Sequence, residues 1–567
     1  MLFTVSVIII VSQIYLDLKI PEYMSNITIA IESHETHDVI VKYGAEMGVC
    51  AIVSLFLAII TGILIANIAA SLCSTIRTKM YTKIQKCYPQ DIADMSAATL
   101  VTRSTNDVTQ VQNFVSRALL IVVRSPILAI WAILKISGSN WQWTLSTIIG
   151  VLLLVIVIGL VMWVVMKYVT KVPWLTDELN SSTRENLMGI RVIRAYNAEK
   201  FQENKFSNSS EKLLYNNLKS NRYMSPLSPI STAITNFLIL SIYIIGANLI
   251  ISAGTEDMKL VLFSDMIVFS SYVLQVLSAF MLLTGIIRQY PRSRVSSKRV
   301  EELIRMEPSI TEGTFDGDTE ETGTVEFRDV SFAYPGSSEL LHDISFKVNS
   351  GETIAIIGSS GSGKTTLVNL IPRFYEANAG EIIVDGVNVK EYTRRNLNSK
   401  IGFISQNNII FSGTVEYNVN YGETSKFRTR EDVMNALRIA QADSFVNALP
   451  KGMDTEISQY GKNLSGGQKQ RISIARAVCK NPEIMIFDDS FSALDLKTDS
   501  LLRSELRKNC KDATKIIVAQ RISTVMEANL IIVLDKGGIV GKGTHDELLE
   551  NCQIYRDIAV SQMMVIE

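Results

Sequence analysis

The chain has 567 residues, 47% hydrophobic and 20% charged, with a formal net charge of −1. Near-neutral charge leaves no electrostatic footprint for nucleic acid, the apolar content excludes a disordered chain, and six scattered cysteines exclude a disulfide scaffold. Four histidines without clustered Cys/His spacing exclude a structural zinc site, and a mean hydropathy of +0.21 at ordinary charge content averages one lipid-embedded half with one water-soluble half.

A bilayer core takes about 20 apolar residues per helix. Runs of that kind predict spans at Leu2–Ile20, Ala45–Ile68, Ala118–Ser137, Trp141–Val165, Ile230–Ile251 and Val261–Ile287. The first begins almost at Met1, leaving no room for a preceding amphipathic helix. It lacks a basic leader and a small-residue cleavage site, so it reads as a span and not a signal peptide. Pro21–Val41 and Gly138–Thr144 hold no Lys or Arg, whereas Arg77, Lys79, Lys83, Lys86 and Arg103 follow the second span. Lys167, Lys171, Arg184, Arg191, Arg194 and others up to Arg222 follow the fourth. The positive-inside rule makes the basic set cytoplasmic and puts both termini inside, as six spans require.

The basic connections are long and patterned as helix, for instance Asn186–Ala195. They read as membrane helices continuing into the cytosol, with tips that dock on a soluble domain. Arg124, just ahead of Pro126, reads as a side chain snorkelling to the cytoplasmic interface in preference to a substrate contact. Pro226 and Pro229 open span five and kink it.

The polar stretch Glu307–Thr324 separates the halves. The expected division is a membrane domain over 1–290, a linker over 291–324 and a soluble domain over 325–567. Short β-rich runs alternate with helices after the linker: Val325–Phe332, Thr353–Ile357, Glu381–Val384, Ile401–Ile404, Ile484–Phe487, Lys515–Ala519 and Leu530–Leu534. That alternation predicts an α/β domain with a mainly parallel sheet.

Within it, Gly358, Ser359, Ser360, Gly361, Ser362, Gly363, Lys364, Thr365 and Thr366 directly follow the strand Thr353–Ile357 and open a helix over Thr366–Ile371. This is the context of a phosphate-binding loop, in which backbone N–H groups close around phosphates at a helix N-terminus. Lys364 brings a point charge to the phosphates, and the Thr365 hydroxyl is a ligand for Mg²⁺. The apolar strand Ile484–Phe487 leads to Asp488, which would hold the Mg²⁺ through water at the edge where ligands of such sheets bind. Between them, Asn463 to Arg471 contains Leu-Ser-Gly-Gly-Gln and leads into a helix over Ile472–Val478. Gly466 and Gly467 expose N–H groups at a second helix start. Since this chain already supplies a phosphate loop, the second anion site suits an ATP held by another subunit.

These motifs together resemble the ABC (ATP-binding cassette) superfamily over essentially the whole chain, in its exporter-type half-transporter form. The implied fold is a six-helix transmembrane domain with long cytosolic helix extensions, followed by an α/β P-loop NTPase domain. The resemblance implies ATP and Mg²⁺ as cofactors and gives Tyr334 the part of the aromatic that stacks on adenine. It makes Gln406 the Q-loop glutamine at Mg²⁺. Ser465, Gly466, Gly467 and Gln468 become the signature that acts on a partner's ATP, and Asp495 lies in the D-loop between two sites. By the same analogy Asp91–Thr105 and Thr183–Tyr196 are docking elements.

Two departures stand out. The family usually has glutamate after the Walker B aspartate, and here it is Asp489; the switch histidine is Gln520. Gln459 also stands where glutamate is common ahead of the signature. With the binding parts intact, these changes resemble the degenerate subunit of bacterial heterodimeric multidrug exporters. They imply a second ABC half-transporter as partner, amphipathic small-molecule or lipid cargo, and a bacterial plasma membrane with the cassette in the cytoplasm. The alternatives are a homodimeric lipid or peptide translocator or importer, and an ATP-gated regulator that does not pump.

Overall fold

The computed structural model describes residues 2–93, 95–137, 141–422 and 428–563. Residues 138–140 of the predicted loop Gly138–Thr144, residue 94 of the docking element Asp91–Thr105, and the last four residues of the soluble domain lie outside that set. The chain forms two compact units, one of Met1–Lys86 with Met95–Glu307, the other of Cys87–Asp94 with Pro308–Glu567.

Among the described residues of the first unit, six helices are long and apolar enough to cross a membrane. They are α1 (Leu2–Glu32), α2 (His37–Lys86), α3 (Ala97–Lys135), α4 (Trp141–Met188), α5 (Glu199–Ser252) and α6 (Glu256–Arg305). The predicted spans are the apolar stretches of these helices, set at one end of α1, α3, α4 and α5 and inside α2 and α6. Polar turns beyond them, which hydropathy does not register, lengthen four of the six to between 48 and 54 residues. At 1.5 Å per residue that is about 75 Å, more than twice a bilayer core, so the expected extensions are present. Pro21 lies buried inside α1, where the packing of neighbouring helices lets a membrane helix keep it. As expected for span five, α5 is interrupted next to Pro226, after which the helix resumes at Leu227 with Pro229 in its first turn.

Trp143, in the first turn of α4, belongs to the buried core of this unit. It is fully buried, donates its indole N–H to the Ile242 carbonyl at 3.1 Å, and stands 4.9 Å from the Phe269 ring. Gly246 makes the room, since a Cβ there would lie 3.3 Å from Trp143 and 2.7 Å from the Met266 sulfur.

Two expectations for this half are corrected. Arg124 does not snorkel to an interface: its guanidinium pairs with Asp17 of α1 at 3.0 Å, because a carboxylate within the same apolar layer is a nearer partner than water. Nor is 291–324 a linker throughout. Helix α6 runs on to Arg305, because Val300 and Leu303 give that charged stretch an apolar stripe packed on Cys73, Met80 and Val108. Residues beyond Pro308 are strapped to the second unit, Phe315 N–H donating to the Glu391 carbonyl at 2.8 Å and Thr393 N–H to the Phe315 carbonyl at 2.9 Å. Pro89–Ile92, a single 3₁₀ turn, stands with that unit as well: Asp91 accepts the Ser309 N–H at 3.0 Å and Arg394 lies 5.7 Å over the Tyr88 ring. The other predicted docking element breaks at Gly189, where α4 ends and a short helix, Ile190–Ala195, begins.

The second unit contains two main sheets where one mainly parallel sheet was expected. Strands β1 (Val325–Phe332), β2 (Leu341–Val348), β3 (Thr353–Gly358), β4 (Ala379–Val384), β5 (Val387–Asn388), β6 (Ile401–Ile404), β7 (Ile484–Asp488), β8 (Thr514–Val518), β9 (Leu530–Asp535) and β10 (Gly538–Gly543) divide between them. The smaller sheet has the order β2-β1-β4-β5 and is antiparallel; the larger has the order β10-β9-β3-β8-β7-β6 and is parallel except at β9/β10. A parallel crossover needs a dozen or more residues, and the connection from β1 to β2 is too short for one. The antiparallel sheet is held by Phe327 stacked on Phe346, centroids 4.6 Å apart and both buried. Phe327→Ala is expected to destabilise this sheet by about 3–5 kcal/mol. Amide exchange should accelerate across Val325–Phe332 while the exchange of α1–α6 stays unchanged.

Candidate nucleotide site

Three strands of the larger sheet end side by side. β8 lies between β3 and β7 and is parallel to both, Val518 pairing with Ile356 on one side and Asp488 on the other. The segments leaving these strands therefore emerge at the same C-terminal edge. The phosphate loop leaves β3, the carboxylates end β7, and Gln520 lies just past β8.

The loop opens α7 (Lys364–Leu370), with Gly363 at its cap in the left-handed region, φ +97°. At Gly358 the constraint is approach: a Cβ would sit 2.0 Å from the Leu534 carbonyl oxygen. Ser359 donates to Asp535 at 3.2 Å, and Ser360 and Gly361 form the exposed crest. Lys364 folds its ammonium back over the loop, donating to the carbonyls of Gly358 (2.9 Å) and Ser359 (2.7 Å) and to the Ser362 hydroxyl (3.4 Å). Burial pushes this lysine below its ordinary pKa, and the charges of Asp489 and Asp488 pull it back up. Its neutral carbonyl acceptors are ones a phosphate oxygen outcompetes.

Thr365 donates its hydroxyl to Asp488 Oδ1 at 2.9 Å, and Asp488 is buried. A hydroxyl and a carboxylate side by side are hard oxygen donors that fit Mg²⁺. Among the described residues no group of three or more His, Cys, Asp or Glu side chains is placed to hold a metal. Such an ion would take its remaining ligands from phosphates and water, as Mg²⁺ at nucleotide sites does. Burial raises the Asp488 pKa, with Thr365, Lys364 and Gln406 opposing the rise.

The two departures meet. Gln520 Nε2 donates to Asp489 Oδ2 at 3.0 Å. Asp489 itself has φ +48° and its backbone N–H donates to the Val518 carbonyl at 3.0 Å, which fixes its place beside β8. Burial raises its pKa too, with Lys364 and Gln406 pulling it down. Gln406 reaches this pair because Ser490 donates to the Ile404 carbonyl at 3.0 Å, tying the end of β6 to β7.

Tyr334 stands beside the loop, its hydroxyl 2.9 Å from that of Thr366, with the ring edge-on to Phe332 and Tyr375. The signature begins α8 (Gly466–Lys480). Ser465 and Gln468 cap it reciprocally, Ser465 N–H to Gln468 Oε1 at 2.9 Å and Gln468 N–H to Ser465 Oγ at 3.3 Å, while Ser465 and Gly466 are exposed. Asp495 caps α9 (Leu496–Asn509) by accepting the Thr498 N–H at 2.9 Å, which holds its carboxyl below the usual range. Gln459 opens a 3₁₀ turn whose next residue, Tyr460, has φ +61°.

Gln562 has no sequence signal, yet it clamps the switch segment. From α10 (Gln553–Met563) it accepts the Ile522 N–H at 2.7 Å and donates to the Gln520 carbonyl at 2.7 Å. Arg521 donates to the Ser492 carbonyl at 3.2 Å, which ties the same segment to the loop after Asp489. A lone glutamine near a chain end has no local pattern to mark it.

Residues 3–280 match the family model of the ABC transporter transmembrane region, and residues 341–492 match that of the ABC transporter. An uncharacterized ABC transporter ATP-binding protein of Mycobacterium tuberculosis is 35% identical over 543 residues, 93% of this chain and 90% of the relative. The ATP-dependent lipid A-core flippase of Pseudomonas fluorescens is 31% identical over 87% of this chain and 80% of its own length. The solved structure of a bacterial Atm1-family ABC exporter with ATP bound superposes with a TM-score of 0.85, covering 99% of this chain and 98% of that one, at 22% identity. That likeness is one of fold. The chain therefore belongs to the ABC transporter family, as a multi-pass membrane protein whose one polypeptide joins an exporter-type membrane region to an ATP-binding cassette.

Proposed function

We propose that this chain is one half of a heterodimeric exporter of amphipathic compounds, and that its own Walker site holds ATP tightly but cleaves it slowly. The observation that carries this is the 3.0 Å hydrogen bond from Gln520 to Asp489. The carboxylate that would orient the attacking water is one methylene short of glutamate, and one of its oxygens is already taken by an amide. A misplacement of about 1 Å can cost about a hundredfold in rate. Glutamine also cannot become cationic toward a γ-phosphate.

The binding parts are intact by comparison. Gly358 to Thr366 would cradle the phosphates, Lys364 would exchange its carbonyl partners for phosphate oxygens, and Tyr334 would stack on the adenine. Thr365, Asp488 and Gln406 would hold Mg²⁺, which supplies charge neutralisation between the phosphates. Ser465, Gly466, Gly467 and Gln468, the first two of them exposed, would face the partner's γ-phosphate, with Asp495 between the two sites. Closure of the two cassettes on ATP would open the cavity outward, and hydrolysis at the partner's site would reset it. The lipid A-core flippases among the relatives support an amphipathic cargo.

The test is the Mg-ATPase rate of the purified chain with and without a second half-transporter carrying Glu and His in these two places. Turnover is expected only in the pair. Robust turnover by the chain alone, abolished by Asp489→Asn, would overturn the reading.

A further inference from the structure

Helices α1, α3 and α6 line an open cavity of about 460 Å³ whose polar groups come from the apolar spans themselves. Asp17 lies on α1, Arg124 on α3 and Gln275 on α6. Ionisable groups at this depth are costly and are retained for function. Asp17 is engaged through both oxygens: Oδ2 accepts Arg124 Nη2 at 3.0 Å and Oδ1 accepts the Ser54 hydroxyl at 2.5 Å. Arg124 is less fully engaged. Among the described residues its one polar partner is Asp17, and 37% of its side chain stays open. Gln275 Oε1 is buried and has no hydrogen-bond partner, an acceptor in want of a donor. Leu128, Leu274 and Leu282 supply apolar wall.

The set has a definite complement. The free guanidinium N–H groups ask for an anion, and the orphaned carbonyl asks for an N–H or O–H next to it. The apolar wall asks for a tail. A cationic head is disfavoured, because the cavity's one carboxylate is already paired with the Arg124 guanidinium and also holds the Ser54 hydroxyl. We propose that this cavity takes the head of the transported amphiphile, and that the head is an anionic group with an adjacent hydrogen-bond donor. The inference rests on the reading of this chain as an export subunit, but it makes no use of nucleotide hydrolysis.

Binding is therefore measured on the full chain in lipid nanodiscs without nucleotide, so that it succeeds or fails independently of the ATPase result. Three probes share a twelve-carbon chain: N-lauroylglycine, with a carboxylate beside an amide N–H; N-lauroylsarcosine, whose N–H is replaced by N-methyl; and dodecyltrimethylammonium. N-lauroylglycine should bind at least about tenfold tighter than the cation and about fivefold tighter than N-lauroylsarcosine, the latter being one hydrogen bond's worth. Gln275→Leu should remove the difference between glycine and sarcosine probes and keep the preference over the cation. Asp17→Asn with Arg124→Gln removes both charges without stranding either, and should erase the anion preference. Should that double variant fail to fold, the wild-type probe order and Gln275→Leu decide. A wild-type protein that binds the cation as tightly as N-lauroylglycine overturns the proposal. So does an unchanged glycine-to-sarcosine ratio in Gln275→Leu, and so does a co-purifying phospholipid that N-lauroylglycine cannot displace, which would make the cavity a resident lipid site.

Discussion

Converting Asp489 to glutamate and Gln520 to histidine together should raise hydrolysis at this chain's own Walker site by about a hundredfold, the rate expected to return when a displaced catalytic group is restored to position. The measurement is made in the heterodimer with the partner's catalytic glutamate replaced by glutamine, so that this site alone contributes. Neither single change should give more than a small part of the gain. In Asp489→Glu the longer carboxylate still lies within reach of the Gln520 amide, which already holds Asp489 at 3.0 Å. In Gln520→His the imidazole meets a carboxylate that remains too short for the water. Two residues in direct contact are expected to couple in this way, and the double-variant cycle measures the coupling. Full recovery in Asp489→Glu alone would show the hydrogen bond to be without consequence and leave only side-chain length to explain slow turnover.

Much of the molecule was legible because its chemistry is local. The phosphate loop needs a strand, a run of glycines and a helix in immediate succession, and Thr353 to Leu370 has them. The membrane spans were legible as apolar lengths, but their ends were not. Hydropathy reports contact with lipid, whereas the helices continue as long as an apolar stripe such as Val300 and Leu303 finds something to pack on. β2 was missed because His342, Asp343, Ser345 and Lys347 interrupt its buried Leu341, Ile344, Phe346 and Val348. β10 was missed because glycines dilute its propensity. What sequence could not carry at all were partners distant in the chain. Arg124 reads as an isolated charge in a span, and nothing in the sequence links it to Asp17. Only packing of α1 against α3 turns them into a pair, and only a fold brings Gln562 to the backbone of Gln520. The departures at Asp489 and Gln520 were visible singly, but their contact belongs to the parallel order of β7 and β8.

A substitution in the signature separates this chain's two roles. Gly466→Asp should leave the cassette folded. A Cβ at Gly466 meets nothing within 4 Å, whereas one at Gly467 would press to 3.3 Å on the Ala493 carbonyl oxygen. Aspartate in the first turn of α8 is also favoured by the helix dipole, so stability should not fall. Yet Gly466 is exposed, at the helix start that the heterodimer reading turns toward the partner's γ-phosphate. Two like charges about 4 Å apart at an effective dielectric of about 20 repel by about 4 kcal/mol, which is close to a thousandfold in rate. Heterodimer turnover should drop by that order, while nucleotide retained at this chain's own site, read by filter binding, stays within about twofold because that site uses the phosphate loop and the other signature. The matching change in the partner's signature should barely touch turnover, since the site it completes is already slow. Equal losses from the two substitutions would mean both sites fire alike. That symmetry cannot be reconciled with an aspartate held by a glutamine at one of them, so the comparison weighs the 3.0 Å contact directly against the assembly it implies.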